Sequence, residues 1–470
     1  MGGVNIRHLV KRSLFLIAVL VLTAVAAAFV LQTMARERDY RALLAHGDAF
    51  LRDQETFGAV EAYSGAIALR PDSMLAHLRR GETYQRRGDL QAAARDFRAA
   101  AALDSAATRP LEELGDVLSQ LQRHRRSAEA YEACLRLDDR SARVSYKLAL
   151  ARYQAGDMDQ ALMAVNQAIR LSDSADAYFL LGLCLRDRRR VADAQQALAK
   201  AIALSPGFIP AREELADLYR DLGRRADELE QLQVLAVLDR ERVERQVAVG
   251  LAHARAGHPD LAILTLGNAL ERTPNQPVLY EALGEVWLGT AEAQNDPVEL
   301  AKALEALSHA AASDTATSRT LTLYGRALLQ NDQPHLAEDV LKRATERYPV
   351  EPSAFLHYAT AAERQSDLGS ARQALIVYRG LLSDINRETE RAALAARIGT
   401  LSVALDEPTV AIAWLDRALA ATPNDIQLLT SLAEAQLKAD DRSGAQATIA
   451  RAREKDPTNP TLLALAKRAR

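Results

Sequence analysis

The sequence predicts an all-α protein in which repeated helix pairs follow one apolar N-terminal helix. Three observations support this prediction. The 470-residue chain is rich in alanine and charged residues but only 5% aromatic, a composition that favours helices. An uncharged apolar run of 21 residues lies near the N-terminus. After that run, one pattern of small and large residues returns about every 34 positions.

The apolar run, residues 14–34, is long enough to cross the hydrocarbon core of a bilayer as a helix. No proline or glycine interrupts it, so its backbone amides bond within the helix. We therefore expect a basic tail over 1–13 and an uncleaved membrane anchor over 14–34. Two alternatives stay open: a secretory signal cleaved at one of the small-residue sites 24–26 and 33–35, and a helix buried in a soluble core.

Basic residues flank the run in equal number, so the positive-inside rule says little about orientation. They are Arg7, Lys11 and Arg12 before it and Arg36, Arg38 and Arg41 after it. Because a short basic tail usually stays in the cytoplasm, we expect a single-pass inner (cytoplasmic) membrane protein with the rest of the chain in the periplasm. The alternative leaves the repeats in the cytoplasm.

Each repeat carries a small residue, then alanine, a large residue and a second alanine, as in Gly81, Ala93, Phe97 and Ala100. About twelve copies run from Tyr40 to about residue 459. The pattern predicts two amphipathic helices per copy, A and B, which approach closely at the small residues. Since one copy cannot bury its own apolar face, neighbouring copies must stack into a continuous core.

The turns between helices A and B also have a recognisable sequence. In the second copy we expect Gly88 to end helix A and Asp89 to cap helix B.

Two longer connections interrupt the period. One lies between Trp287 and Ala303, and the other adds about six residues between Leu382 and Ala392. Each predicts either a lengthened helix pair or a loop. We expect an N-terminal half over 40–290, a C-terminal half over 291–459 and a capping helix over 460–470.

The repeated residues resemble the tetratricopeptide repeat (TPR) family over nearly the whole chain after the anchor. The resemblance implies a right-handed TPR superhelix, an α-solenoid of about 12 helix pairs. The apolar run places one N-terminal transmembrane helix before it. The resemblance also implies that protein partners bind on a concave face lined by the A helices.

Applying the TPR register to the fourth and fifth copies gives the strongest predicted concave patch, because aromatic residues and arginine dominate binding hot spots. The predicted partner-binding residues are Arg143, Tyr146, Tyr153, Phe179, Leu183 and Arg186. Ordinary packing between repeats is the alternative role for these side chains.

The turns between helices A and B differ in charge along the chain. In the first half they are basic, and in the second half they carry acidic residues such as Asp332 and Asp406. We expect the basic edge to lie against anionic lipid or an acidic partner, and a solvated edge is the alternative. Its residues are Arg86, Arg87, Arg125, Arg126, Arg188, Arg189 and Arg190.

Catalytic motifs are absent from the sequence. It contains no phosphate-binding glycine loop, no H-E-x-x-H, no C-x-x-C and no G-x-S-x-G. Its two cysteines, Cys134 and Cys184, replace small packing residues, and His253 and His258 have no third ligand beside them. We therefore predict no catalytic, cofactor or metal site, and no enzyme.

The net charge of −3 gives no global basic field, which argues against a nucleic-acid partner. The expected function is a non-catalytic, membrane-anchored scaffold for protein–protein interactions. By resemblance, such a scaffold serves assembly or export of cell-envelope components, such as surface polysaccharide or outer-membrane complexes. The alternative is a cytoplasmic-facing regulatory adaptor of a membrane enzyme.

Overall fold

The computed structural model describes residues 6–382 and 388–470, with side chains from Leu20 onward. These residues form 25 α-helices and no strand. The helices are α1 (Ile6–Arg52), α2 (Thr56–Leu69), α3 (Met74–Arg86), α4 (Leu90–Leu103), α5 (Thr108–Gln120), α6 (His124–Leu137), α7 (Ala142–Gln154), α8 (Met158–Leu171), α9 (Ala175–Asp187), α10 (Val191–Leu204), α11 (Ile209–Asp221), α12 (Arg225–Leu238), α13 (Val243–Arg255), α14 (Pro259–Arg272), α15 (Pro277–Gln294), α16 (Pro297–Ala311), α17 (Ser318–Gln330), α18 (Pro334–Glu346), α19 (Ser353–Arg364), α20 (Leu368–Leu381), α21 (Glu388–Ala404), α22 (Pro408–Ala421), α23 (Ile426–Lys438), α24 (Arg442–Lys455) and α25 (Pro460–Arg468).

Contacts divide the chain into two compact units, Met1–Leu222 and Gly223–Arg470. The odd-numbered helices from α1 to α23 are the A helices, and the even-numbered ones are the B helices. Within each unit, an A helix packs on the B helix that follows it, and that B helix contacts the A helix of the next repeat. Helix α25 packs on α23 and α24. The predicted all-α solenoid of about twelve helix pairs is confirmed.

The close contact between A and B helices explains the small residues of the pattern. A Cβ atom added to Gly115 would lie 2.4 Å from Cε1 of Tyr131, and one added to Gly325 would lie 2.3 Å from Cγ of Leu341. The large partner is buried in both cases. The small residue therefore sets how closely the two helices approach.

The A–B turns contain one residue with positive φ. These residues are Gln54, Gly88, Gln122, Gly156, Arg189, Gly223, Gly257, Asn295, Asp332, Ser366, Asp406 and Asp440. Gly88, with φ of 82°, follows the end of α3 as expected. Asp89 occupies the N-cap position of α4, but its side chain accepts no hydrogen bond from the helix amides. The predicted cap is therefore wrong. The Asp89 carboxylate instead lies 3.0 Å from Nη2 of Arg87, which draws it away from the helix amides.

The first interruption of the period is a lengthened helix pair. Helix α15 has 18 residues and α16 has 15, whereas the preceding helices α13 and α14 have 13 and 14. At the second interruption α21 has 17 residues, and residues 383–387 of that connection lie outside the described residues.

Helix α1 joins the apolar run to the first repeat without a break. Its apolar side chains from Leu20 to Met34 are exposed, and Tyr40 is the first buried residue from Leu20 onward. By length and composition it could cross a membrane. The side chains of Arg7, Lys11 and Arg12 lie outside the described residues.

The close approach of helices leads to a test with two glycines of the second unit. We expect Gly325→Ala to lower the free energy of unfolding by about 1–3 kcal/mol, because the added methyl group collides with Leu341. Gly267 is the matched control, since it lies inside α14 and a Cβ there has no neighbour within 4 Å. Gly267→Ala should stabilise the unit by about 0.5–1 kcal/mol. Urea denaturation measures both, and an equal effect of the two changes would contradict the packing explanation.

Candidate functional site

Ion pairs connect successive A helices in the first unit. Glu82 on α3 accepts a hydrogen bond from Arg109 on α5 at 2.6 Å. Glu112, one turn into α5, accepts one from Nζ of Lys147 on α7 at 2.8 Å, and Lys147 also lies 2.7 Å from Oδ2 of Asp116. The acid therefore comes from one repeat and the base from the next.

The second unit repeats this arrangement. Its acid–base pairs between neighbouring A helices include Glu285–Arg319, Glu292–Arg326 and Glu363–Arg397, with nitrogen–oxygen distances of 2.7–2.8 Å. Asp406, in the turn after α21, pairs with Lys438 of α23 at 3.1 Å. Exposed pairs of this kind contribute only about 0–1 kcal/mol each. Each pair also neutralises charges on the A-helix face.

The fourth-repeat residues of the predicted patch lie on α7, and each already has neighbours. Arg143 donates to Oε2 of Glu112 at 2.8 Å, although its side chain remains 69% exposed. Tyr146 is half-buried, and burial followed by the charge of Asp176 raises its pKa. Burial and a 3.0 Å hydrogen bond donated to Oδ2 of Asp187 raise the pKa of Tyr153 to about 12.

The fifth-repeat residues of the patch lie on α9. Phe179 packs edge-on against Phe208, with ring centres 5.4 Å apart. Leu183 is half-buried, and Arg186 pairs with Asp187 and Glu214. The Tyr153–Asp187 bond joins α7 to α9, and the Arg186–Glu214 pair joins α9 to α11. Part of the patch therefore serves packing between repeats, and Arg143 is its most accessible charged member.

The residues of the basic edge divide into two groups. Arg87 lies 4.0 Å above the ring of Phe57, Arg188 pairs with Asp159, and Arg190 pairs with Asp193 at 2.7 Å. The other members are exposed and have no ion-pair partner among the described residues: Arg86, Arg125, Arg126 and Arg189. This second group supplies the charge available to a partner.

The structure also contains a groove that the sequence reasoning missed. It has a volume of about 480 Å³ and lies between the A helices α13, α15 and α17 of the second unit. Leu251, Val286 and Leu323 form its apolar wall, and Gly289 adds no side chain to it. The lengthened α15 was the available sequence signal, because its additional turn lines the groove.

The described residues hold no group of three or more side chains suited to a metal ion. Cys134 and Cys184 are buried, and burial raises the pKa of Cys184 to about 11, so its thiol stays protonated at neutral pH. Burial and the neighbouring His258 lower the pKa of His253.

Comparison with known families agrees with this architecture. The tetratricopeptide repeat model matches residues 44–108, 112–175, 160–207 and 323–381. The chain belongs to the tetratricopeptide repeat family. TPR chains generally act as protein–protein interaction scaffolds.

Several solved structures are similar to this TPR chain. MamA is 25% identical with a TM-score of 0.33, over 34% of this chain and 95% of its own. Yeast Tom70 is 14% identical with a TM-score of 0.44, over 79% and 97%. A tetratricopeptide repeat protein from Parabacteroides merdae is 17% identical with a TM-score of 0.40, over 53% and 99%. No curated protein matches the sequence.

The acid cluster of the third TPR repeat leads to a test with two substitutions. Lys147 is only 24% exposed and neutralises Glu112 and Asp116. We expect Lys147→Met to lower the free energy of unfolding by about 1–3 kcal/mol, because carboxylates that are only partly exposed lose their charge partner. Arg143→Met removes an exposed partner of the same Glu112 and should cost under about 1 kcal/mol. Hydrogen exchange of the α5–α7 amides measures both.

The stability of the Lys147→Met variant should depend on pH. Burial and the charges of Asp116 and Glu82 raise the pKa of Glu113 in the folded chain, so its ionised form is disfavoured there. Protonation of Glu113 therefore favours the folded state as pH falls, and loss of Lys147 removes a charge that lowers the pKa of Glu113. The loss of unfolding free energy in Lys147→Met should become smaller as the pH falls from 7 to 4.5. A loss that grows over this range would contradict this account.

Proposed function

We propose that this TPR chain is a membrane-anchored, non-catalytic scaffold that gathers protein partners for assembly or export of cell-envelope components. The observation that carries the proposal is the unbroken helix α1, which is both the apolar segment and the A helix of the first repeat. A scaffold built in this way needs no linker between its anchor and its binding repeats.

Contacts immediately after the apolar run support a rigid connection. Tyr40 lies about 9 Å along the helix from Met34, and its hydroxyl lies 2.5 Å from Oγ of Ser73. Arg70 covers the Tyr40 ring at 5.3 Å and pairs with Glu37 at 3.3 Å. The loop between α2 and α3 is therefore fastened to α1 within two turns of the anchor. This geometry supports a first repeat held at the membrane surface.

The direction of α1 also bears on the basic edge. The A–B turn of the first repeat begins after Arg52, about 27 Å along the helix from Met34. Arg87 of the second repeat packs on Phe57 at that same distant end. If residues 14–34 span the bilayer, this end of the repeats points away from the lipid. Of the two occupants expected for the basic edge, the geometry favours an acidic protein partner.

Topology is the first property to measure. We expect a compartment-sensitive reporter fused after Arg470 to be active only outside the cytoplasm, with residues 1–35 retained on a gel. The short basic tail, which tends to stay in the cytoplasm, is the physical reason. A cytoplasmic C-terminus would instead support the regulatory adaptor of a membrane enzyme, and a shortened chain would refute the anchor.

Charge reversal tests the partner expected at the basic edge. We expect Arg125→Glu with Arg126→Glu to reduce cross-linked complexes of the full-length protein in cells at least about tenfold, because two exposed, unpaired cations are reversed. Arg140→Glu is the matched control. Arg140 is also exposed, but it lies between α6 and α7, at the opposite end of α6 from Arg125 and Arg126. Loss of complexes in Arg140→Glu alone would contradict the proposed orientation.

A further inference from the structure

Trp414 in the second unit contacts two arginine side chains. The guanidinium carbon of Arg379, on α20, lies 5.0 Å from the centre of its ring, and that of Arg417, on α22, lies 4.6 Å from it. Arg391, at the start of α21, donates to the carbonyl of Leu382 at the end of α20. Two positive charges therefore lie beside one indole ring, and the charge of Arg391 also acts on Arg379.

Acidic partners of Arg379 and Arg417 are missing among the described residues, although both arginines lie at one aromatic ring. Arg372, on the same helix as Arg379, pairs with Glu407 through both of its terminal nitrogens. Among the described residues, no carboxylate forms an ion pair with Arg379 or Arg417. Nε of Arg379 is buried without a hydrogen-bond partner.

Burial, and then the positive charges of Arg417 and Arg391, lower the pKa of Arg379. The neighbouring positive charges repel one another, and the repulsion weakens when a counter-anion lies between them. The planar guanidinium group suits such an anion, because it offers paired N–H donors that match the oxygens of phosphate or carboxylate.

We infer that Arg379, Arg417 and Trp414 form a binding site for a phosphate group, either as free phosphate or as a phosphate monoester. Phosphate fits better than a carboxylate because it carries about two negative charges and three acceptor oxygens, enough to serve more than one guanidinium. Trp414 holds the two guanidinium groups through cation–π contacts, and its partly buried ring excludes water from one side. The site is independent of the proposed scaffold function.

The position of the site also separates it from the TPR binding face. Arg379, Trp414 and Arg417 all belong to B helices, whereas the ion-pair rows and the groove described above belong to A helices. Occupation of one surface therefore leaves the other available. A phosphate-bearing ligand and a protein partner could bind the same unit together.

Fluorescence of Trp414 tests the inference directly. The chain has two tryptophans, so Trp287→Phe leaves Trp414 as the reporter in the full-length protein in detergent. We expect inorganic phosphate to change its emission with saturation in the millimolar range, at ionic strength kept constant with chloride. Glycerol phosphate, a monoester, separates the two sources: tighter binding than phosphate identifies the monoester, and equal or weaker binding identifies free phosphate.

Single substitutions locate the response. Arg417→Met, at an exposed position, and Arg379→Met should each weaken phosphate binding at least tenfold. Arg343→Met is the matched control, because Arg343 is an exposed last-turn arginine of the B helix α18 without an aromatic partner, and it should leave the affinity unchanged. An equal loss in all three variants, a response reproduced by chloride, or no saturation would overturn the inference.

One acid of the chain needs a separate control. Asp384 lies within residues 383–387, outside the described residues. If phosphate binds only after Asp384→Asn, the chain supplies its own counter-anion and the inference fails. If the affinity is the same with and without this change, the site takes its anion from solution.

Discussion

The close approach of helix A to helix B within each repeat is the contact on which the rest of the molecule depends. A glycine or alanine on helix A leaves space for a large side chain of helix B, as Gly115 does for Tyr131 and Gly325 for Leu341. Because this contact fixes the separation of the two helices, it also fixes which side chains reach the next repeat. Stability in such an array is a sum of nearest-neighbour interactions, so one disturbed contact acts first on its own repeat and its neighbours.

The polar contacts on the A-helix face follow from that spacing. Once the A helices of adjacent repeats lie parallel, residues about one period apart face each other, and acids meet bases as in Glu285–Arg319 and Glu363–Arg397. These pairs add little to stability individually. They do decide which charges remain for a partner, and in the first unit they leave Arg143 accessible while Lys147 is occupied by two carboxylates.

Two positively charged surfaces with different surroundings result from the same packing. On the basic edge, Arg125 and Arg126 are exposed in the first turn of α6 and form no ion pair with a described acid. Around Trp414, Arg379 and Arg417 are held by an aromatic ring between B helices. The first surface suits an extended acidic partner because it is open. The second suits a compact anion because its two guanidinium groups lie at one ring.

The sequence by itself determined the repeat, the helix pairs and the apolar segment, because each depends on local spacing along one chain. The period of small and large residues gave the A–B contact, and an uncharged run of 21 residues gave the candidate membrane helix. The tertiary structure alone decided how charges and grooves are arranged, because these join residues from separate repeats. Arg143 was predicted to contact a partner, and only the tertiary structure shows that it also meets Glu112 of the preceding repeat. The groove beside Gly289 required the extra turn of α15 to be a helix rather than a loop, which local spacing left open.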